Sequence, residues 1–155
     1  MNIALFQPDI AGNVGTILRL SACLDVTCHI IEPCGFAFGE RGLKRAGMDY
    51  AASADIKRHL DWIHFEAEAT KNKQRIILMT SKGSVPLHQA IFKPNDIILM
   101  GSESAGVPKH VHERADARIH IPMQTGFRSL NVAVSAGMAL GEALRQTGQY
   151  PASST

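Results

Sequence analysis

Short, continuous apolar runs recur along this chain, and longer segments of helical period separate them. Five runs read as strands: Asn2 to Phe6, Thr27 to Ile31, Gln74 to Thr80, Asp96 to Met100 and Ala117 to Ile121. Because they are mostly apolar throughout rather than alternating, they suit strands covered on both faces. The segments between them predict helices at Val14 to Leu24, roughly Leu43 to Ala46, His59 to Ala69, Pro108 to Ala115 and Leu130 to Thr147. Strands and helices in turn give an α/β fold, a mainly parallel sheet with helices on both faces. No repeat or linker divides the chain, so residues 1–155 are expected to form a single domain, with the tail from about residue 149 loose.

Two of the helices carry more information. In the first, Val14, Ile17, Leu18, Ser21 and Ala22 make one stripe with Leu20 and Leu24 beside it, leaving Gly15, Arg19 and Cys23 to point elsewhere. Asn13, just ahead, is placed to act as its N-cap. The last helix is apolar on nearly every face, with Ser135, Glu142 and Arg145 its clearly polar positions. A sheet covers one side of such a helix, so a second copy of the chain is expected to cover the other. Ala136, Gly137 and Gly141 would let the second backbone come close, which predicts a homodimer with a single two-fold interface.

Composition sets limits on this picture. The chain has 155 residues, 45% hydrophobic and 19% charged, close to the globular average. No run approaches the roughly 20 apolar residues that cross a bilayer, and the start MNIALFQPDIAG does not read as a secretory leader. A soluble, cytoplasmic protein with no membrane partner is therefore expected. Cys23, Cys28 and Cys34 form no C-x-x-C pair and read as reduced, structural residues. His110 and His112 could share a metal, but KHVHER suits a solvated surface segment better, and no metal is expected. A net charge of +2 does not demand a nucleic-acid partner. Arg41, Lys44 and Arg45, at i, i+3 and i+4, nevertheless put three cations on one face, either solvated or set against phosphate.

Three strand ends lead into loops rich in glycine and small polar residues. The first, QPDIAGNVG, sets Gly12 and Gly15 ahead of a helix N-terminus, where backbone N–H groups suit phosphate, and Glu32 at the end of the second strand suits a ribose. The full G-x-G-x-x-G spacing of a dinucleotide site is lacking. The second, GSESAGVP, has the outer glycines of a phosphate-binding loop in Gly101 and Gly106, but Val107 and Pro108 stand where Lys and Ser or Thr are needed. It also nears the G-x-S-x-G elbow of serine hydrolases, with Ser104 as nucleophile and Asp116 and His120 following in order. Ser102 replaces the first elbow glycine, and His120 lies in a strand close to Asp116. The third, PMQTGFRSLN, packs polar residues beside the apolar helix, where each unpaired one costs ~1 to 3 kcal/mol. A turn and cap account for Ser129 but less easily for Arg128 and Asn131.

Taken together the loops read N-x-x-G-x-x-x-R, G-x-E-x-x-G-x-P and I-P-M-x-x-x-x-R-S-L-N, in that order. In this the chain resembles the SPOUT class of RNA ribose 2′-O-methyltransferases, and most closely the minimal TrmL-like (YibK-like) branch that methylates the wobble nucleotide of tRNA. The resemblance spans nearly the whole chain. It implies a deep C-terminal trefoil knot holding S-adenosylmethionine, released as S-adenosylhomocysteine, against Met79, Gly101, Ile121, Met123 and Ser129. It further implies Arg19 as the residue that stabilises the reacting ribose oxygen, positioned with the help of Asn13, Glu103 and Asn131. Arg41, Lys44, Arg45 and Arg128 become RNA contacts. The implied reaction is methylation at position 34, a cytidine or modified uridine, of tRNA-Leu-type substrates; another tRNA or ribosomal RNA site is the alternative. The knot of one subunit and the first motif of the other are implied to build each site.

Overall fold

The computed structural model describes residues 1–37, 39 and 52–153. Within them lie strands β1 (Asn2–Phe6), β2 (Thr27–Ile31), β3 (Ile56–His59), β4 (Ile76–Met79), β5 (Val85–Pro86), β6 (Ile97–Met100) and β7 (Ala117–His120). Helices are α1 (Ala11–Leu24), α2 (Trp62–Lys71), α3 (Lys109–Arg114) and α4 (Val132–Thr147), with a short 3-10 turn at Leu87–Gln89. The strands form one sheet in the order β3-β2-β1-β6-β4-β7-β5, and the registered pairs are parallel.

Side-chain alternation within the central strands decides the layering. Ile3 and Leu5 of β1 face a core shared with Val14, Ile17 and Leu18 of α1 and Ala136, Ala139, Leu140 and Ala143 of α4. Ala4 and Phe6 turn the other way, onto Trp62 and Phe65 of α2 and Val111 of α3. Both faces are thus apolar, which is why the strands read as unbroken hydrophobic runs. The mainly parallel sheet with helices on both faces agrees with the sequence expectation.

The edges depart from it. The sequence predicts no strand at Ile56–His59 and starts a helix at His59, yet these residues form edge strand β3, beside β2 alone. Its IKRH sequence exposes Lys57 and Arg58, so it carries little apolar signal. The helix starts later because Asp61 is its N-cap, its carboxylate accepting from the His64 N–H at 2.9 Å. The two-residue β5 was also unforeseen; its Pro86 is tolerated because it lies at the other edge. Gln74 and Thr80 fall outside β4. Arg75, just before β4, instead reaches Asp96, donating to both carboxylate oxygens at 2.9 and 2.6 Å. The helix expected over Leu43 to Ala46 lies outside the described residues.

Helix α1 begins at Ala11, so Asn13 sits in its first turn and not at the N-cap, which Ile10 occupies without a side-chain bond. On α4, Ala136 packs into the chain's own core, a Cβ at Gly137 would meet Leu20 at 4.0 Å, and one at Gly141 would meet the Tyr150 hydroxyl at 3.2 Å. Of the small residues expected to admit a second backbone, Ala136 is thus taken up by its own chain and Gly141 faces its own Tyr150. The large apolar side chains that α4 leaves in the open are Val134, 52% exposed, and Met138, 44% exposed, one turn apart. Among the described residues no helix is long and apolar enough to cross a membrane.

Candidate active site

From the β1/β6 pair the chain winds outward both ways, toward β2 and β3 on one side and toward β4, β7 and β5 on the other. Open parallel sheets bind ligands at such a switch point, beyond the carboxyl ends of the strands. A cavity of about 480 Å³ lies there, within the usual range for small-molecule sites. Its walls come from the segments that follow β1, β4, β6 and β7. Leu78, Met79, Met100, Val107, Ile121 and Met123 form apolar wall, while Thr80, Ser102, Glu103, Ser129, Asn131 and Ser135 add polar groups.

Glu103 ties the first two loops together. Its carboxylate accepts from the Asp9 N–H at 3.0 Å, and its own N–H donates to the Asp9 carboxylate at 3.2 Å. The residues that follow β1 and β6 are thus clasped reciprocally. Hydrogen bonds from Glu103 and from the Ser104 hydroxyl hold the Asp9 carboxyl below its ordinary range.

The clasp continues across the cavity. Asn13 Nδ2 donates to the second Glu103 oxygen at 3.3 Å, and Asn131 Nδ2 donates to Asn13 Oδ1 at 3.1 Å. Asn131 Oδ1 in turn accepts from the N–H groups of Ala133 and Val134, at 2.8 and 3.3 Å, and so caps α4. Each amide uses its donor end in one direction and its acceptor end in the other. One relay therefore joins the loops after β1 and β6 to the start of α4. This accounts for Asn131, which a turn alone did not explain.

Gly101 and Gly106 close the second loop on itself. Ser102 and Gly106 exchange backbone hydrogen bonds at 3.0 and 2.9 Å, and a Cβ on Gly101 would meet the Gly106 backbone at 2.9 Å. Gly106 has φ +63°, a left-handed conformation suited to glycine. The close approach at Gly101 is thus to the chain's own backbone. Ser104 donates to Asp9. Asp116 accepts from the Ile76 N–H and from Arg114 at 2.8 and 3.3 Å. Ser104 and Asp116 thus bond to other partners, and neither they nor His120 line the cavity. Gly12 and Glu32 also lie outside its lining, and Glu32 instead meets Arg58 at 2.5 Å.

Met79, Gly101, Ile121, Met123 and Ser129 all line this one cavity, together with Asn13, Glu103 and Asn131. Asn13 does so within its own chain. Arg19 is exposed on α1 and, like the exposed Arg128, is not among the lining residues. Arg41, Lys44 and Arg45 lie outside the described residues. Ile10, Thr80, Ser81 and Ser135 line the cavity without having been singled out; the position of Thr80 and Ser81 straight after a parallel strand was the available signal.

A second polar group lies under α2. His29 and His59 stack with an interplanar angle of 18°, their Nδ1 and Nε2 atoms 2.8 Å apart, while His29 Nε2 reaches Asn2 Oδ1 at 3.2 Å and His59 Nδ1 reaches Glu68 at 3.4 Å. Burial lowers both ring pKa values, that of His29 to about 4, with the neighbouring His59 adding to the effect there. Among the described residues these two histidines and Glu68 are the group of ligand type drawn close enough to hold an ion. Glu68 meets the far nitrogen of His59, so the three groups are also joined in a hydrogen-bonded row. His110 and His112 have no place in it.

A parallel sheet with a cavity beyond its strand ends is the framework of an α/β protein that binds a small molecule. The chain belongs to the SpoU rRNA Methylase family, whose model matches residues 1–141. It is 52% identical, over 94% of its length and 91% of the relative's, to a tRNA (cytidine(34)-2′-O)-methyltransferase of Beijerinckia indica. A solved structure concerned with 2-OH methylation of C/U34 on tRNA superposes with a TM-score of 0.87 at 38% identity, covering 94% of each chain. An AdoMet-bound rRNA methyltransferase from Sinorhizobium meliloti superposes with a TM-score of 0.82 at 27% identity, over 93% of this chain and 55% of that one.

Proposed function

We propose that this protein is an S-adenosylmethionine-dependent tRNA 2′-O-methyltransferase acting on the ribose of the wobble nucleotide, cytidine or uridine 34, in the cytoplasm. The observation that carries this reading is the relay from Glu103 through Asn13 to Asn131, which gathers the three motif loops around one cavity. The similarity to wobble-nucleotide methyltransferases along nearly the full chain supports the substrate.

The cavity suits the methyl donor in size and chemistry. Met79, Ile121 and Met123 offer apolar surface for an adenine ring, and Ser129 with the backbone around Gly101 offers polar contacts. Bound there, S-adenosylmethionine supplies an electrophilic methyl group. The resemblance also implies a knot in the chain that frames the cavity, a rare topology.

The protein's task is to orient a poorly nucleophilic 2′-hydroxyl and stabilise the negative charge that develops on its oxygen. Arg19 does this as a fixed cation, arginine being a poor proton acceptor, so the hydroxyl proton passes to phosphate or solvent. Glu103, Asn13 and Asn131 hold the loops that position it and the substrate. Arg19 stands on α1 outside its own chain's cavity, so it serves the cavity of a second copy. Exposed Val134 and Met138 on the neighbouring helix α4 are the surface such a homodimer covers. Arg41, Lys44, Arg45 and Arg128 contact RNA phosphates, which makes binding weaken with salt.

Mass spectrometry of tRNA from cells lacking the protein tests the assignment. A ribose methyl missing from nucleotide 34 is expected; one missing from another tRNA or ribosomal RNA position transfers the reading to that site. Arg19→Ala should abolish transfer while S-adenosylmethionine still binds, and transfer at the parental rate would refute the mechanism.

A further inference from the structure

Phe127 is 73% exposed, and no side-chain packing among the described residues accounts for an aromatic ring there. It occupies the loop between β7 and α4, after Gly126, whose φ of +99° takes the backbone through a left-handed turn. The Phe127 N–H donates to the Gln124 carbonyl at 3.4 Å, closing that turn. Ser129, two residues on, lines the cavity, as does Met123. Two peptide steps span at most about 7.6 Å, so the backbone of Phe127 stands at the cavity's rim.

We propose that Phe127 is a base-stacking residue that sets the nucleobase of the target nucleotide while its ribose faces the cavity. This rests on the methyl-transfer reading above. The chemistry of a nucleotide supplies the placement. The carbon bearing the base is bonded directly to the carbon bearing the 2′-hydroxyl. A hydroxyl held at the cavity therefore brings its base to the rim. Single-stranded RNA is read by unstacking such bases onto aromatic side chains, commonly beside an arginine. Phe127 provides the ring, and exposed Arg128 the adjacent cation. A phenyl ring presents a face to every base and has no polar edge, so it holds the nucleotide in place without choosing between cytidine and uridine.

The experiment compares Phe127→Ala, Phe127→Leu and Phe127→Trp with the parent, using tRNA and an anticodon stem–loop that carries 2-aminopurine at the target position. Phe127→Ala should raise the RNA KM about ten-fold, equivalent to about 1.4 kcal/mol, and leave the KM for S-adenosylmethionine unchanged. Stacking quenches 2-aminopurine, so the quench seen on binding the parent should disappear in Phe127→Ala and return in Phe127→Trp. Phe127→Leu should behave like Phe127→Ala. The inference is overturned if the leucine variant matches the parent, if the alanine variant keeps the quench, or if sedimentation shows that Phe127→Ala chiefly disrupts a dimer. A parent protein that methylates no RNA would instead overturn the function on which the inference depends.

Discussion

Asn131 performs two tasks that one substitution can separate. Its Oδ1 caps α4, and its Nδ2 holds Asn13. Asn131→Ala removes both. Loss of an N-cap costs about 1 kcal/mol, and for a chain of 155 residues that lowers Tm by about 3 °C. The orphaned Asn13 oxygen adds little because it lies close to solvent. Asn131→Asp keeps the acceptor, and its charge favours a helix N-terminus by roughly 0.3 to 1 kcal/mol, so Tm should match the parent or slightly exceed it. A carboxylate has nothing to donate to Asn13, however, and Asn13 cannot turn its amide around without releasing Glu103. The relay therefore opens between α4 and α1 in a stably folded protein. Methyl transfer should fall at least ten-fold, equivalent to about 1.4 kcal/mol in the barrier. Thermal melts and transfer of labelled methyl groups to tRNA, at one fixed protein concentration, give both readouts. If Asn131→Asp melts as low as Asn131→Ala, the cap has been misassigned. Transfer by Asn131→Asp at the parental rate would show that the relay positions nothing.

Two further outcomes follow from the geometry. Gly101→Val forces the Gly106 backbone aside and should abolish S-adenosylmethionine binding in calorimetry, whereas Gly12→Ala, with nothing within 4 Å of the added Cβ, should bind normally; the opposite order would move the site to the first loop. His29 carries a pKa of about 4 in the fold against an ordinary 6.5, so between these values the unfolded chain binds more protons and stability falls as the pH drops. At about 1.4 kcal/mol per pH unit the full loss is about 3 kcal/mol. Urea midpoints at neutral pH and near pH 4 should therefore converge less in the parent than in His29→Gln, and equal acid losses in both would remove His29 as the cause.

What the sequence made legible depends on where each force acts. The central strands are apolar on both faces, so their runs could be read directly. Edge strand β3 could not, because Lys57 and Arg58 point to solvent and only its pairing with β2 makes it a strand. The five residues assigned to the cofactor share one cavity, but that assignment came from resemblance; spacing alone left three loops with rival uses. Asn13 shows why. Read locally it is an N-cap, and the partners that draw it elsewhere, Glu103 and Asn131, lie 90 and 118 residues away. The stacked pair of His29 and His59 was missed for the same reason, since neither residue has a distinctive neighbour in sequence.

The position of β1 has a consequence for synthesis. Its second partner, β6, begins only at Ile97, so one edge of the first strand keeps its backbone N–H and C=O groups unpaired until some ninety further residues have been made. Such distant pairings close slowly and leave the growing chain prone to aggregation. The pocket cannot exist before Asn131 has emerged, so a prematurely terminated product would be both inactive and sticky.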